Sequence, residues 1–416
     1  MDKPAIQGGK PVRSSPLPLF DVSLGDEEID NVLDVLKSRK LVSTHGNWAN
    51  EFGKLVKEYL GSKYIVMANN GTSTIHLALI ALGVGPGDEV ICSPLGWISS
   101  GTPVLYQNAI PIYADTDSQY GFIDPIDIEK KITHRTKAIC VVHTWGLPAD
   151  LDPILEIGEK HGIPVIEDAA EALGGTYKNK KIGTMGTFGS FSTVWNKIIT
   201  TGEGGFLISE NEELIEKARR FGNFAKVPGR GDYFSGLGYN YRMTELMGAL
   251  GFAQIKRIDE LVTKRRKNAA YLTKQLDSLN IEGLITPKEP KWGNNSGTKG
   301  VYWKYTVILE PDKFFTSRDQ ILKAIQAEGV LSAGPVEPDN LQPFYLKKEV
   351  YGRTKCPWEC KYADVPQDID YANMCPTAKV YSDKIIWLTG CSPNLTQNDL
   401  DSIVDAVEKV AKWYQT

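Results

Sequence analysis

Histidine and cysteine are scarce in this chain, at five and six among 416 residues. The cysteines (Cys92, Cys140, Cys356, Cys360, Cys375, Cys391) are too dispersed for the disulfide framework of a small secreted domain. Cys356 and Cys360 lie close together, but no second cysteine pair and no histidine stands near them, so structural thiols are expected rather than a metal site. Long apolar runs are missing too: no window approaches the roughly eighteen residues of a membrane span. The opening stretch MDKPAIQGGKPVRSSPLP lacks the continuous apolar core of a signal peptide, so a cytoplasmic protein without a membrane partner is expected. Charge of one sign is also absent. Lysine and arginine total 47 against 51 acidic residues, a formal net charge of -4, and the basic residues are scattered, which excludes a broad nucleic-acid-binding surface.

What is present is a chain long enough for a large core, with 42% hydrophobic residues, and for two lobes. From Tyr64 onward, short β-rich runs alternate with helical patterns, the mark of a parallel sheet covered on both faces. The runs YIVMA, EVICS, IPIYA, AICVV and PVIED, then FGSFS and GFLIS, are the expected strands. Helical spacing runs over 73–82, 98–106, 152–162 and 212–220, and a long helix over 243–262 continues to about 276. The polar stretch 287–300 reads as an exposed loop, YWKYTVIL as a strand, and the last helix starts at the N-cap Thr396. The expected division is a large domain over 1–262, with an N-terminal arm, and a smaller α/β domain over 263–416.

The segment FSTVWNKIITTGEGG places Lys197 among apolar residues, between a strand end and a Gly-rich turn. A lysine amine is a nucleophile only when deprotonated, and burial favours that state. Alone, Lys197 reads better as a solvated surface lysine. Asp168, ending the apolar run in PVIEDAAEALGG, changes the balance, because a carboxylate at a strand end points into the crevice where α/β proteins bind ligands. A lysine for an aldehyde and a carboxylate for a pyridine nitrogen are what pyridoxal 5'-phosphate (PLP) requires. In NNGTSTIHLAL, Gly71, Thr72 and Ser73 open a helix and can offer amides and a hydroxyl to an anion, or form an ordinary N-cap. Trp97, following the second strand, can stack on a flat cofactor or belong to the core. The glycines 83, 85 and 87 do not fit a dinucleotide fingerprint.

Four motifs in order, NNGTSTIHLALIALGVGPGDEV, VIEDAAEALGGTYKNKKIGTMG, FSTVWNKIITTGEGG and GYNYRMTELMGALG, make the chain resemble the DegT/DnrJ/StrS sugar aminotransferases over nearly its whole length. The resemblance implies a fold type I PLP-dependent transferase: an α/β protein with a large, mainly parallel seven-stranded sheet domain and a smaller C-terminal α/β domain. It implies Lys197 as the covalent anchor of the cofactor, Asp168 as partner of the pyridinium nitrogen, Trp97 as the stacking ring, and Gly71, Thr72 and Ser192 at the phosphate. Glu171 falls near the cofactor hydroxyl. Asn240 matches an asparagine that reaches the phosphate from the neighbouring subunit, implying a homodimer with shared active sites.

The implied reaction is ping-pong transamination from glutamate or glutamine to a keto-sugar, a nucleotide-linked hexose, in amino-sugar biosynthesis. A keto-cyclitol of the scyllo-inosose type is the alternative acceptor, favoured by the C-terminal segments KCPWECKY and CPTAKVYSDKIIWLTG. Other classes on the same fold are a non-catalytic binding or regulatory protein and a dehydratase; the lysine separates the chain from dehydratases with histidine there. Expected substrate contacts are His45 and Trp48 in the 41–52 loop, Trp145 in the HTWG turn, Arg242, and Asn340, which replaces the histidine of many members. His143 reads equally as structural or as a ligand.

Overall fold

The computed structural model describes residues 2–415 except 293–296, 335–336, 353, 362 and 366–367. Nine strands lie in the first half of the chain: β1 (Tyr64–Ala68), β2 (Glu89–Cys92), β3 (Ile110–Tyr113), β4 (Thr136–Val142), β5 (Val165–Asp168), β6 (Thr176–Tyr177), β7 (Lys180–Lys181), β8 (Phe188–Ser192) and β9 (Gly205–Ser209). Seven of them form one sheet in the order β1-β9-β8-β5-β4-β2-β3, and β6 and β7 pair as a separate ribbon. Strands β2 to β5 and β8 pair in parallel, whereas β9 runs antiparallel to both β1 and β8. The central strands are buried on both faces, which explains their near-continuous apolar runs.

Helices cover the sheet where the apolar spacing predicts them, with two differences. The 98–106 segment is broken into a short 3-10 turn (Ile98–Ser100) and a helix (Thr102–Tyr106), meeting at Gly101. A Cβ on Gly101 would lie 2.1 Å from the Tyr113 hydroxyl, so the chain turns where only glycine fits. The long helix is two helices, Glu245–Lys256 and Ile258–Ser278, which change direction at Arg257. Arg257 is held from outside by the Glu28 carboxylate at 3.1 Å and the Ser23 hydroxyl at 3.0 Å.

The second sheet contains β10 (Leu284–Ile285), β11 (Tyr305–Leu309), β12 (Ser332–Ala333) and β13 (Ile385–Leu388) in the antiparallel order β10-β11-β13-β12. The step 262/263 falls inside the unbroken helix Ile258–Ser278. The N-terminal arm packs on this second unit: Leu17 bridges Val330, and Arg13 pairs with Asp399. Part of the expected 287–300 loop, 293–296, lies outside the described residues. The C-terminal helix Gln397–Tyr414 is capped by Thr396 as expected, with Asp399 completing a capping box. Among the described residues no helix is long and apolar enough to cross a membrane, no His/Cys/Asp/Glu group forms a metal cluster, and all six cysteines are free.

Candidate active site

Adjacent parallel strands end together, and their C-terminal ends form the floor of a cavity of about 440 Å³. Strand alternation turns neighbouring carboxylates of β5 to opposite sides. Glu167 points away from the cavity and accepts from the amides of Gly183, Met185 and Gly186 at 2.6 to 2.8 Å. Asp168 points into the cavity. Its Oδ2 accepts from the Ser100 hydroxyl at 2.7 Å and its Oδ1 from the Ala170 amide at 3.1 Å. Burial raises the Asp168 pKa, while the Ser100 and Ala170 hydrogen bonds and the charge of Lys197 act against that rise.

Lys197 sits on the loop between β8 and β9. The loop is pinched at its base, where Thr193 and Thr201 share a 2.6 Å hydroxyl contact and the Thr201 amide donates to the Thr193 carbonyl. The Lys197 side chain is 10% exposed; its Nζ lies 3.4 Å from Glu171 Oε1 and 3.6 Å from the centre of the Trp303 ring. Trp303 is fixed in turn, its indole N–H donating to the Asn196 carbonyl at 2.6 Å. The other Glu171 oxygen accepts from the Trp145 amide at 2.8 Å.

At the opposite end of the cavity the helix Gly71–Leu82 begins, capped by the Asn70 side chain on the Ser73 amide. The amides of its first residues have no partner within a helix and are oriented for an anion. Gly71 packs against Ser192, where a Cβ would come within 2.8 Å of Ser192 Cβ. Thr72 and Ser192 line the cavity beside Gly71, and Trp97, 59% exposed, walls one side. Ser73 does not line it, because its hydroxyl is occupied by Asn69 and Asn70.

The residues expected at the cofactor thus converge, apart from Ser73 and Asn240. Asn240 is exposed and pairs with Asn223. None of the five expected substrate residues lines the cavity. His45 and Trp48 line a separate surface depression, Trp48 edge-on to Phe252, and Arg242 lines another, donating to Asn223 at 2.7 Å. Trp145 is buried behind the cavity against Trp387. Asn340 is buried outside the cavity and donates to the Tyr371 carbonyl. His143 is structural: its Nδ1 accepts from the Ala149 amide, leaving Nε2–H for Glu167 at 3.1 Å. Sequence reasoning missed Ser100 as the brace of Asp168, and it missed Trp303, Lys304 and Trp387, which close the cavity from the second sheet. A lysine inside the aromatic run VYWKY was the available signal.

A lysine and a braced carboxylate facing one cavity at the strand ends of a mainly parallel sheet define a fold type I, PLP-dependent aminotransferase. The chain belongs to the DegT/DnrJ/EryC1/StrS aminotransferase family, whose model matches residues 22–365. It is 39% identical over 334 residues to the GDP-perosamine synthase of Caulobacter vibrioides, covering 80% of this chain and 88% of that protein. It is 32% identical over 416 residues to a putative L-glutamine:3-amino-2,3-dideoxy-scyllo-inosose aminotransferase of Micromonospora echinospora, covering 98% and 97% of the two chains. The structure of an aminotransferase from Psychrobacter cryohalolentis superposes with a TM-score of 0.85 at 29% identity, over 96% of this chain and 99% of that one.

Proposed function

We propose that this enzyme transfers an amino group from glutamate or glutamine to the ketone of a sugar, a nucleotide-linked hexose, with PLP as its cofactor. The observation that carries the reading is that the Lys197 amine and the Asp168 carboxylate, braced by Ser100 and the Ala170 amide, face one cavity. The residues fit PLP. Asp168 would hold the pyridinium nitrogen, the Gly71 and Thr72 amides with the Ser192 hydroxyl would hold the phosphate, Trp97 would stack on the ring and Glu171 would stand near its hydroxyl. When bound, PLP supplies the aldehyde and the electron sink that withdraws charge from the donor carbon.

The chain's own groups do the rest. Lys197 would hold the cofactor and, as a free amine, would take up and return the proton at the donor carbon. Glu171 positions the Lys197 ammonium and ties it to the turn at Trp145. Asp168, a buried carboxylate, would favour the protonated, cationic form of the ring nitrogen beside it. Trp303, over Lys197, narrows the cavity and excludes water from the reacting atoms.

A keto-cyclitol acceptor is the second reading, supported by the similarity to the Micromonospora protein over 98% of this chain. A homodimer with shared sites is supported by the exposed apolar residues Leu41, Val42, Phe224, Phe234 and Leu237, and by Asn240, His45, Trp48 and Arg242, which lie outside the cavity. In such a dimer these residues would complete the partner's site. Free thiols throughout accord with a cytoplasmic location.

The test is to load the enzyme with pyridoxamine phosphate and screen keto-sugars and keto-cyclitols for return of the PLP absorbance. Lys197→Ala should bind PLP without covalent attachment and lose turnover by at least about 10³-fold. Retained turnover in that variant, or no carbonyl compound restoring the absorbance, would sink the reading.

A further inference from the structure

Lys304 stands immediately before β11 and reaches the Lys197 cavity from the second sheet. It is only 7% exposed, and its Nζ lies 3.0, 4.1 and 5.1 Å from the ring centres of Trp387, Trp303 and Trp145. Among the described residues no carboxylate pairs with it and no oxygen accepts a hydrogen bond from its ammonium. An ammonium offers three donors, and the indole faces supply attraction without satisfying them. Burial lowers its pKa to about 7; Glu171 acts in the opposite direction and Lys197 in the same one. On its other side Lys304 lines a small cavity together with Asp21 and Arg265.

An amino-acid donor brings an α-carboxylate into a cavity walled by Trp97, Trp195, Trp303 and Trp387. Burying that group without a cation is costly. The described cations lining the cavity are Lys197 and Lys304, and Lys197 is committed to the cofactor, while Asp168, Glu171 and Glu203 repel a carboxylate. We propose that Lys304 is the donor-binding residue, its ammonium receiving the α-carboxylate of the amino-acid donor. The proposal rests on the aminotransferase reading above.

Two consequences separate this role from a packing role. A carboxylate beside Lys304 favours its charged form, so donor binding near pH 7.5 takes up a fraction of a proton. The amine-accepting half of the reaction, whose substrate need carry no carboxylate, does not depend on the Lys304 charge.

The experiment uses the PLP-loaded enzyme and 2-methylglutamate, a donor analogue without the α-hydrogen needed for transfer. Calorimetry in two buffers of different ionisation enthalpy reads affinity and proton uptake together. Lys304→Met should bind the analogue about 10- to 100-fold more weakly and lose the proton uptake, as expected for loss of a charge-assisted hydrogen bond. The rate at which its pyridoxamine phosphate form aminates a ketone should fall by a smaller factor than its affinity for the analogue does. Unchanged affinity with unchanged proton uptake, or an equal loss in both half-reactions, overturns the proposal while leaving the aminotransferase reading intact. A parent enzyme that neither loads PLP nor accepts any donor overturns both.

Discussion

The Ser100 hydroxyl donates to Asp168 Oδ2 at 2.7 Å, from a turn 68 residues earlier in the chain, and both side chains are buried. The bond stabilises the charged carboxylate against the burial that pushes its pKa up. Ser100→Ala removes that support and leaves the Ala170 amide as the described hydrogen-bond donor to Asp168. Affinity for PLP should fall about tenfold, the scale of one hydrogen bond to a charged group, with a parallel fall in turnover. A spectrophotometric PLP titration checks it; parent-like affinity would show that the Ala170 amide alone suffices to hold the carboxylate.

The contact of Gly71 with Ser192 yields a second prediction. Gly71→Ala puts a Cβ 2.8 Å from Ser192 Cβ, pushing the helix start away from the end of β8. Phosphate binding at that junction depends on the spacing, so PLP affinity should fall by more than about tenfold while the melting temperature changes little. Adding Ser192→Gly relieves the clash but removes a hydroxyl, so the double variant should recover only part of the loss. Additive losses in the pair would argue against a steric origin.

His76 makes the fold sensitive to acid. It is buried among Tyr106, Tyr239 and Tyr241, its Nε2 accepts from Gln107 and its Nδ1 meets the Tyr241 hydroxyl at 3.0 Å. Burial lowers its pKa from 6.5 to about 4. The folded state therefore binds a proton less readily than the unfolded chain. This costs nothing above pH 6.5, and destabilises the fold progressively as pH falls toward 4. The full effect is on the order of 3 kcal/mol. Urea melts of the parent should weaken over that window, and the gap to His76→Gln should narrow as pH falls. A constant gap would mean that His76 does not carry the pH dependence.

These residues also mark what the sequence made legible. Asp168, Gly71 and Ser192 stand at strand ends or a helix start, and Glu171 and Lys197 on the turns just beyond strand ends; local pattern and the resemblance of the motifs together placed them, and all line the cavity. Trp303 and Lys304 were read only as part of a strand, and Trp387 only within a segment bearing on the acceptor, because their position depends on the second sheet packing over the first. The break at Arg257 was invisible in the periodicity, which runs on through it; there the guanidinium is held by Ser23 and Glu28, far off in the chain. Trp145 was expected at the substrate from its loop and Asn340 from the family's histidine at that position, yet both side chains are buried in the packing of this chain.

Glu328 tests how the N-terminal arm is held. It is fully buried and accepts from the Ala5 amide at 2.7 Å, the Val12 amide at 3.0 Å and the Lys409 ammonium at 2.9 Å, joining the arm to the C-terminal helix. Loss of the carboxylate would remove the acceptor of the half-buried Ala5 and Val12 amides and leave Lys409 only the Lys10 carbonyl, so the cost exceeds that of a surface ion pair. Glu328→Ala should destabilise the protein by about 3 kcal/mol, whereas Glu328→Gln keeps an acceptor for one amide and should cost less. The arm also carries Phe20, stacked on Trp303 at 5.8 Å between ring centres and lining the Lys197 cavity. Loosening it should therefore raise proteolysis near residues 5–20 and reduce turnover together in Glu328→Ala. If cleavage rises while turnover holds, the arm anchors the fold without shaping the site.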